Sequence, residues 1–288
     1  MRLGLNTFLL SPGFSTNDLP LLKTIRNFGA DVVELAIVKP SDMDISQTRE
    51  ALSAAELANP VICGAFGAGQ DLRGSPEEVE NSKSYIIELI DIAEALGSKV
   101  VCGPMYSSAG RAGLRSDSER EVELDQIAAS LKDLAGYASD RGISLAFEPL
   151  NRFETDCINT VDQGLDLIER VDHSALGLHL DTFHMHIEEA NSADAIRQSK
   201  EKLFHIHFSA SHRGIIGQDQ VHWSSIVQAL YEIGYDETIC IESFSPDVKV
   251  IAKAASIWRD LYTSPEEMAC KSLGFIRETW RSAQLIST

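Results

Sequence analysis

The sequence predicts a single (β/α)8 barrel over residues 1–288, with an extra helix at its C-terminal end. Strand-like and helix-like stretches alternate from one end to the other without a linker, a repeat or a shift in composition. The length of 288 residues and the 44% apolar content suit one barrel of about 250 residues with a filled core. Strands five to eight end on or carry acidic or histidine side chains, spaced by about one strand–helix unit.

Taken in order, the first strand runs over 3–8. Ser15, Thr16 and Asn17 then offer caps for a helix to 28, which Gly29 ends. A strand over 32–37 and a helix over 46–57 follow. The third strand, 60–63, leads into the Gly-rich loop 64–69, which carries neither a GxGxxG nor a Walker pattern. Ser75-Pro76-Glu77-Glu78 starts a helix: a cap, proline in the first turn, and acids at the positive end. That helix is expected to stop at Gly97. Strand four covers 99–103, and Ser116 or Ser118 opens a helix to about 141, closed by Gly142. Strands over 144–148, 176–181, 204–208 and 238–242 alternate with helices over 161–171, 193–202 and 223–233. Helices over 248–262 and 265–284 complete the chain.

The charge balance narrows the function. With 25 basic and 43 acidic side chains the net charge is −18, the reverse of a nucleic-acid footprint. The five cysteines form no CxxC pair; Cys63, Cys102 and Cys240 lie in or beside apolar runs and read as small buried hydrophobes in a reducing compartment. No apolar run is long enough for a membrane span or a signal peptide, so the expectation is a cytoplasmic protein.

The stretch 176–189, Leu-Gly-Leu-His-Leu-Asp-Thr-Phe-His-Met-His-Ile-Glu-Glu, carries the strongest chemical signal. By two-residue alternation Leu176, Leu178 and Leu180 share one face, and Gly177, His179 and Asp181 the other. An apolar strand that stops on Asp181 needs a partner for its charge, and a metal ion is one. In a barrel of this kind the active site lies where strands finish. Strand five ends at Glu148, strand six at Asp181, strand seven carries His205 and His207, and strand eight ends at Glu242. Glu148, Asp181, His207 and Glu242 are 33, 26 and 35 residues apart, so each reaches the same rim one strand further round. Spacing alone does not choose between His205 and His207, which share a face. Carboxylates with one imidazole favour Mn²⁺, Mg²⁺ or Co²⁺ over a structural zinc. Two Glu across such an ion can also work as an acid/base pair. His184 falls in the loop over the site. His186, Glu188 and Glu189 read as solvated or supporting groups, and His173 and His222 as surface residues.

These residues resemble the ketose 3-epimerases, the D-tagatose and D-allulose 3-epimerase group of sugar isomerase/epimerase barrels. The likeness spans nearly the whole chain. It is sharpest in Glu148-Pro149-Leu150-Asn151-Arg152-Phe153-Glu154 with Asn159-Thr160, in Leu180-Asp181-Thr182-Phe183-His184-Met185, in Ser211-His212-Arg213-Gly214, and in Ile241-Glu242-Ser243-Phe244. It implies that Glu148, Asp181, His207 and Glu242 hold one divalent ion, Mn²⁺ first and Co²⁺ or Mg²⁺ as alternatives. It implies that Glu148 and Glu242 are the two acid/bases, and that Glu154, His184 and Arg213 bind the first three substrate oxygens. It further implies a homodimer or homotetramer; no phosphate cradle appears in the sequence, so the expected substrate is a free ketose. One departure stands out: Ser209-Ala210 occupies the place of a Gly-Glu or Ser-Glu pair, so a carboxylate is missing there. Loop residues around Asn6-Thr7-Phe8 and at Phe66 are expected to shape the far end of the sugar site.

The expected reaction is inversion at C3 of a ketose through an enediolate, with a base on each face. An aldose–ketose isomerase working at C1–C2 is the near alternative. A metal-dependent phosphodiesterase or nuclease on a similar barrel is the remote one; the acidic charge and the four-ligand set oppose it. A catalytically silent sugar-binding barrel is a third, opposed by the presence of both Glu148 and Glu242.

Overall fold

The computed structural model describes residues 1–286. Eight parallel strands close into a barrel in sequence order: β1 Arg2–Asn6, β2 Val32–Ala36, β3 Val61–Cys63, β4 Val100–Gly103, β5 Ser144–Phe147, β6 Leu176–Asp181, β7 Leu203–Phe208 and β8 Thr238–Ile241. The helices are α1 Leu19–Asn27, α2 Ile45–Ala54, α3 Pro76–Leu96, α4 Asp117–Ser139, α5 Val161–Val171, α6 Thr182–Glu188, α7 Ser192–Ser199, α8 Trp223–Glu232, α9 Lys249–Ala254 and α10 Pro265–Ile286. No helix among the described residues is long and apolar enough to cross a membrane.

Alternation along the strands separates two cores. Val33, Leu35, Ile62, Val101, Leu145, Leu178, Leu180, Ile206 and Ile239 pack outward against the helices. Val32, Val61, Cys63, Cys102, Ala146 and Cys240 form a separate cluster; one residue out of step with the first set, they fill the barrel interior. Leu176, Leu178 and Leu180 join the outer core as expected. His179 and Asp181 therefore face the interior, and they pair in register with His205 and His207 of β7.

The caps behave as their chemistry dictates. Ser75 and Ser116 each form a reciprocal box with the glutamate three residues on, Thr160 does so with Gln163, and Gly97 ends α3 at φ +76°. Helices α2 and α9 stop earlier than their patterns predict, at Ala54 and Ala254. Both close the same way: a non-glycine residue takes positive φ, Glu56 at +56° and Ser256 at +56°. The apolar residue after it then bonds back, Leu57 N–H to Leu52 C=O at 3.0 Å and Ile257 N–H to Ala252 C=O at 2.7 Å. No glycine announces either stop. The segment 182–188 is helix α6 rather than loop. Asp181 is its cap, accepting from the Phe183 N–H at 2.6 Å.

Candidate active site

Each candidate side chain stands where a strand gives way to its following loop. Glu148 comes one residue after β5, its N–H still donating to Gly103 C=O of the neighbouring strand at 3.1 Å. Glu242 comes one residue after β8, with its N–H donating to Phe208 C=O at 3.2 Å. Both carboxylates are thus held by the barrel ladder rather than by a mobile loop. Asp181 closes β6, and its use of one oxygen to cap α6 leaves Oδ2 for the barrel mouth. His207 pairs in register with Cys240 on β8 and with Asp181 on β6.

These four side chains converge. Ligand atoms of Asp181, His207 and Glu242 lie within 4.8 Å of one another, as do those of Glu148, Asp181 and His184, and those of Glu148, His179 and His207. His207 Nδ1 is 3.6 Å from Glu242 Oε1. All four residues are buried, Glu242 being the most exposed at 8%. Glu148 Oε1 and His207 Nδ1 are buried without a hydrogen-bond partner in the protein. Such orphaned groups are costly, and a divalent cation accepted by both removes the cost. The donor set of oxygens plus one imidazole nitrogen fits Mn²⁺, Co²⁺ or Mg²⁺.

The two histidines of β7 differ in what they face. His207 turns Nδ1 to the carboxylates. His205 lies deeper and bonds Glu34 Oε2 through Nε2 at 2.6 Å. Glu34, in the apolar run of β2, was not among the candidates from sequence. A lone charge inside such a run signals a buried partner, the same signal that marks Asp181, but nothing in the local pattern points across the barrel to β7. His179 is likewise fully buried, its ring 4.0 Å from that of His207, and neither of its nitrogens has a hydrogen-bond partner.

A pocket of about 160 Å³ opens on this cluster, lined by Glu148, Glu154, His184, Arg213 and Glu242 on its polar side and by Phe8, Cys63, Ala65, Leu150, Phe183, Phe244 and Ile251 on its apolar side. Phe8 therefore does wall the site. Phe66 does not line this pocket; its ring packs on Tyr85 at 6.2 Å, centroid to centroid. Arg213 Nη1 donates to Asp181 Oδ2 at 2.8 Å, Ser209 Oγ at 2.7 Å and Glu242 Oε2 at 2.9 Å. Its guanidinium carbon lies 4.1 Å from the Phe183 ring centre and 5.0 Å from that of Phe244. Its backbone takes φ +61°, a strained setting of the kind that collects at functional sites. His184 Nδ1 accepts from the Asn151 N–H at 3.1 Å, and the Asn151 side chain donates to Glu154 at 2.8 Å. Ala210 is buried at the position of the missing carboxylate. Glu188 grips Arg152 through that residue's N–H and guanidinium, and Glu189 accepts from the Val161 N–H, so both are supports.

Electrostatics push the two glutamates apart. Burial raises Glu148 well above the ordinary carboxylate range; the positive His207 opposes this, and the negative Glu242 and Asp181 add to it. Burial would raise Glu242 also, but His207 and Arg213 outweigh it and hold that carboxyl below its usual value. Opposite shifts on two carboxyl groups in one pocket are the condition an acid/base pair requires. A divalent ion among these oxygens would lower both.

The sequence matches the family described as xylose isomerase-like TIM barrel over residues 22–278, and the chain belongs to that family. It is 31% identical over 254 residues to an L-ribulose 3-epimerase of Methylomonas sp. (strain DH-1), covering 88% of each chain. A solved L-ribulose 3-epimerase superposes with a TM-score of 0.93 at 30% identity, covering 99% of this chain and 96% of the other. A D-allulose 3-epimerase from Methylomonas sp. in complex with D-allulose gives a TM-score of 0.90 at 29% identity, covering 97% of each chain. Within the family the chain falls with the ketose 3-epimerases, a group of isomerases.

Proposed function

We propose that this protein epimerises free ketoses at C3, with D-tagatose, D-allulose, D-fructose and ribulose as the substrate class. The observation that carries the reading is that Glu148 and Glu242, from strands three apart in the barrel, line one pocket with Asp181 and His207 beside them. A ketose C–H is acidic only beside its carbonyl, and inversion needs a base on each face of that carbon. Glu148, Asp181, His207 and Glu242 would hold one divalent ion, with Mn²⁺ the first choice; when bound it supplies Lewis-acid stabilisation for the negative charge that develops on the sugar oxygens.

The chain's own residues do the rest. Glu242, kept ionised by Arg213 at 2.9 Å, takes the C3 proton of one epimer. Glu148, entering the step protonated, returns a proton to the opposite face. The roles reverse for the other epimer. His184, Glu154 and Arg213 hold substrate hydroxyls and the carbonyl oxygen, and the aromatic faces of Phe183 and Phe244 keep Arg213 in place. The apolar wall from Phe8 to Ile251 keeps water from the reacting carbon. A homodimer or homotetramer in the cytoplasm is part of the same proposal, supported by the family likeness and by five free cysteines.

The test is incubation with a ketose panel and Mn²⁺ in heavy water. C3 epimers carrying deuterium at C3 are expected, with Glu148→Gln and Glu242→Gln each losing roughly 10²–10⁴-fold in rate. Label at C1 or C2 with aldose product would replace this reading by the aldose–ketose isomerase.

A further inference from the structure

Glu34 is fully buried in β2, and the reaction proposed above does not use it. A carboxylate in that setting persists only if it is fully paired. Its Oε1 lies 2.6 Å from His207 Nε2 and accepts from Asn6 Nδ2 at 2.5 Å. Its Oε2 lies 2.6 Å from His205 Nε2 and 3.8 Å from Cys102 Sγ. Contacts of 2.6 Å are charge-assisted hydrogen bonds. They are too short for two ligands sharing one ion, which at about 2.0–2.2 Å from the metal stand roughly 3 Å or more apart.

A neutral imidazole has one N–H and one lone pair, and an ionised carboxylate only accepts. The proton of a ligating His207 must therefore sit on Nε2, facing Glu34. The lone pair is left on Nδ1, the atom that has no partner within the protein and faces Glu242. Asn6 locks the arrangement from β1: its Oδ1 accepts from the Phe8 N–H at 2.8 Å while its amide nitrogen holds Glu34.

We infer that Glu34 is the positioning residue of the cation site, fixing His207 as the Nε2–H tautomer and aiming Nδ1 at Asp181 and Glu242. The inference rests on the divalent-ion reading given above. Supporting groups of this kind contribute about 10–100-fold to metal affinity.

The experiment titrates Mn²⁺ into the full-length wild type and into Glu34→Ala, Glu34→Gln and His205→Ala, with thermal midpoints in EDTA taken alongside. Glu34→Ala is expected to bind Mn²⁺ about 10–100-fold more weakly. Glu34→Gln, which keeps one acceptor for Asn6 and His207, is expected to recover part of the loss. His205→Ala is expected to stay within about threefold of wild type, since it leaves the His207 bond in place. Long-range ¹H–¹⁵N spectra of ¹⁵N-histidine-labelled wild type loaded with Mg²⁺ should show His207 protonated at Nε2 alone, which a purely structural Glu34 would not require. Tight wild-type binding with unchanged Glu34→Ala affinity, or a His207 proton on Nδ1, overturns this inference and leaves the ion reading standing. A wild type that binds no Mn²⁺ overturns both. Should Glu34→Ala not fold, the wild-type spectrum and Glu34→Gln decide the matter.

Discussion

Arg213 Nη1 lies 2.8 Å from Asp181 Oδ2, so a guanidinium touches one of the carboxylates assigned to the divalent ion. The same nitrogen reaches Glu242 Oε2 at 2.9 Å. The arginine thus joins the proposed ion and substrate sites, and its charge opposes that of a cation held by the same oxygens. Arg213→Ala should therefore bind Mn²⁺ at least as tightly as wild type while losing turnover by roughly 10²-fold or more, in the range for removal of a transition-state donor. Calorimetric Mn²⁺ titration beside steady-state kinetics checks this. A variant with weakened Mn²⁺ binding would show that Arg213 supports the ligands instead of competing with the ion.

A second arginine holds the loops above the barrel. The Arg73 side chain is almost wholly buried, with Nη1 2.5 Å from Asp156 Oδ1 and 3.3 Å from Glu123 Oε2, Nε donating to Ser107 at 3.0 Å, and Nη2 donating to Arg111 C=O at 2.8 Å. It joins the loops after β3, β4 and β5, and Asp156 follows the substrate candidate Glu154 by two residues. Arg73→Met leaves Asp156 unpaired by its strongest partner and should cost about 3–5 kcal/mol in stability. It should also raise KM more than it lowers kcat. Urea melts and kinetics at a temperature where the variant is folded measure both effects.

Gly103 ends β4 at φ +125°, and a Cβ there would come 1.9 Å from the Gly64 carbonyl oxygen. Its own carbonyl accepts the Glu148 N–H, so relief of the clash must move the catalytic candidate. Gly103→Ala should lose at least about 3 kcal/mol of stability, from strain plus overpacking. Activity should fall further than the folded fraction does. Circular dichroism melts and activity per folded molecule separate the two losses.

His184 sets a pH dependence. Burial lowers its pKa to about 3; Asp181 opposes the shift and Arg213 adds to it. The unfolded chain takes up a proton near pH 6.5 that the folded protein refuses. This contribution to stability is therefore complete above about pH 6.5 and declines as pH falls toward 3, with a slope of up to about 1.4 kcal/mol per pH unit. In EDTA-treated protein, His184→Asn should have a shallower acid limb than wild type over that interval. Chemical denaturation at a series of pH values tests it; parallel limbs would show that His184 is already protonated in the fold.

By itself the sequence determined the eight-strand alternation and the helix cap at Ser75, narrowed the cap of α4 to Ser116 or Ser118, and marked the residues that converge at the barrel mouth. These are local matters: period two on a strand, an acceptor before a helix, a charge that ends an apolar run. Each is written within a few residues, and a parallel barrel then carries strand ends to one rim. What only the tertiary structure decided depends on side chains far apart in the chain. Both histidines of β7 bond Glu34, 173 residues from His207 along the chain, and it is His207 whose Nδ1 comes to 3.6 Å from Glu242. The place of Phe66 follows from Tyr85, and the guanidinium of Arg213 owes its position to Phe183, Phe244 and Ser209. The early stops of α2 and α9 needed left-handed turns at Glu56 and Ser256 that no glycine foretold. Periodicity records which face a residue presents, but the partner it meets there is set by barrel closure, which brings β2 and β7 into contact through the interior.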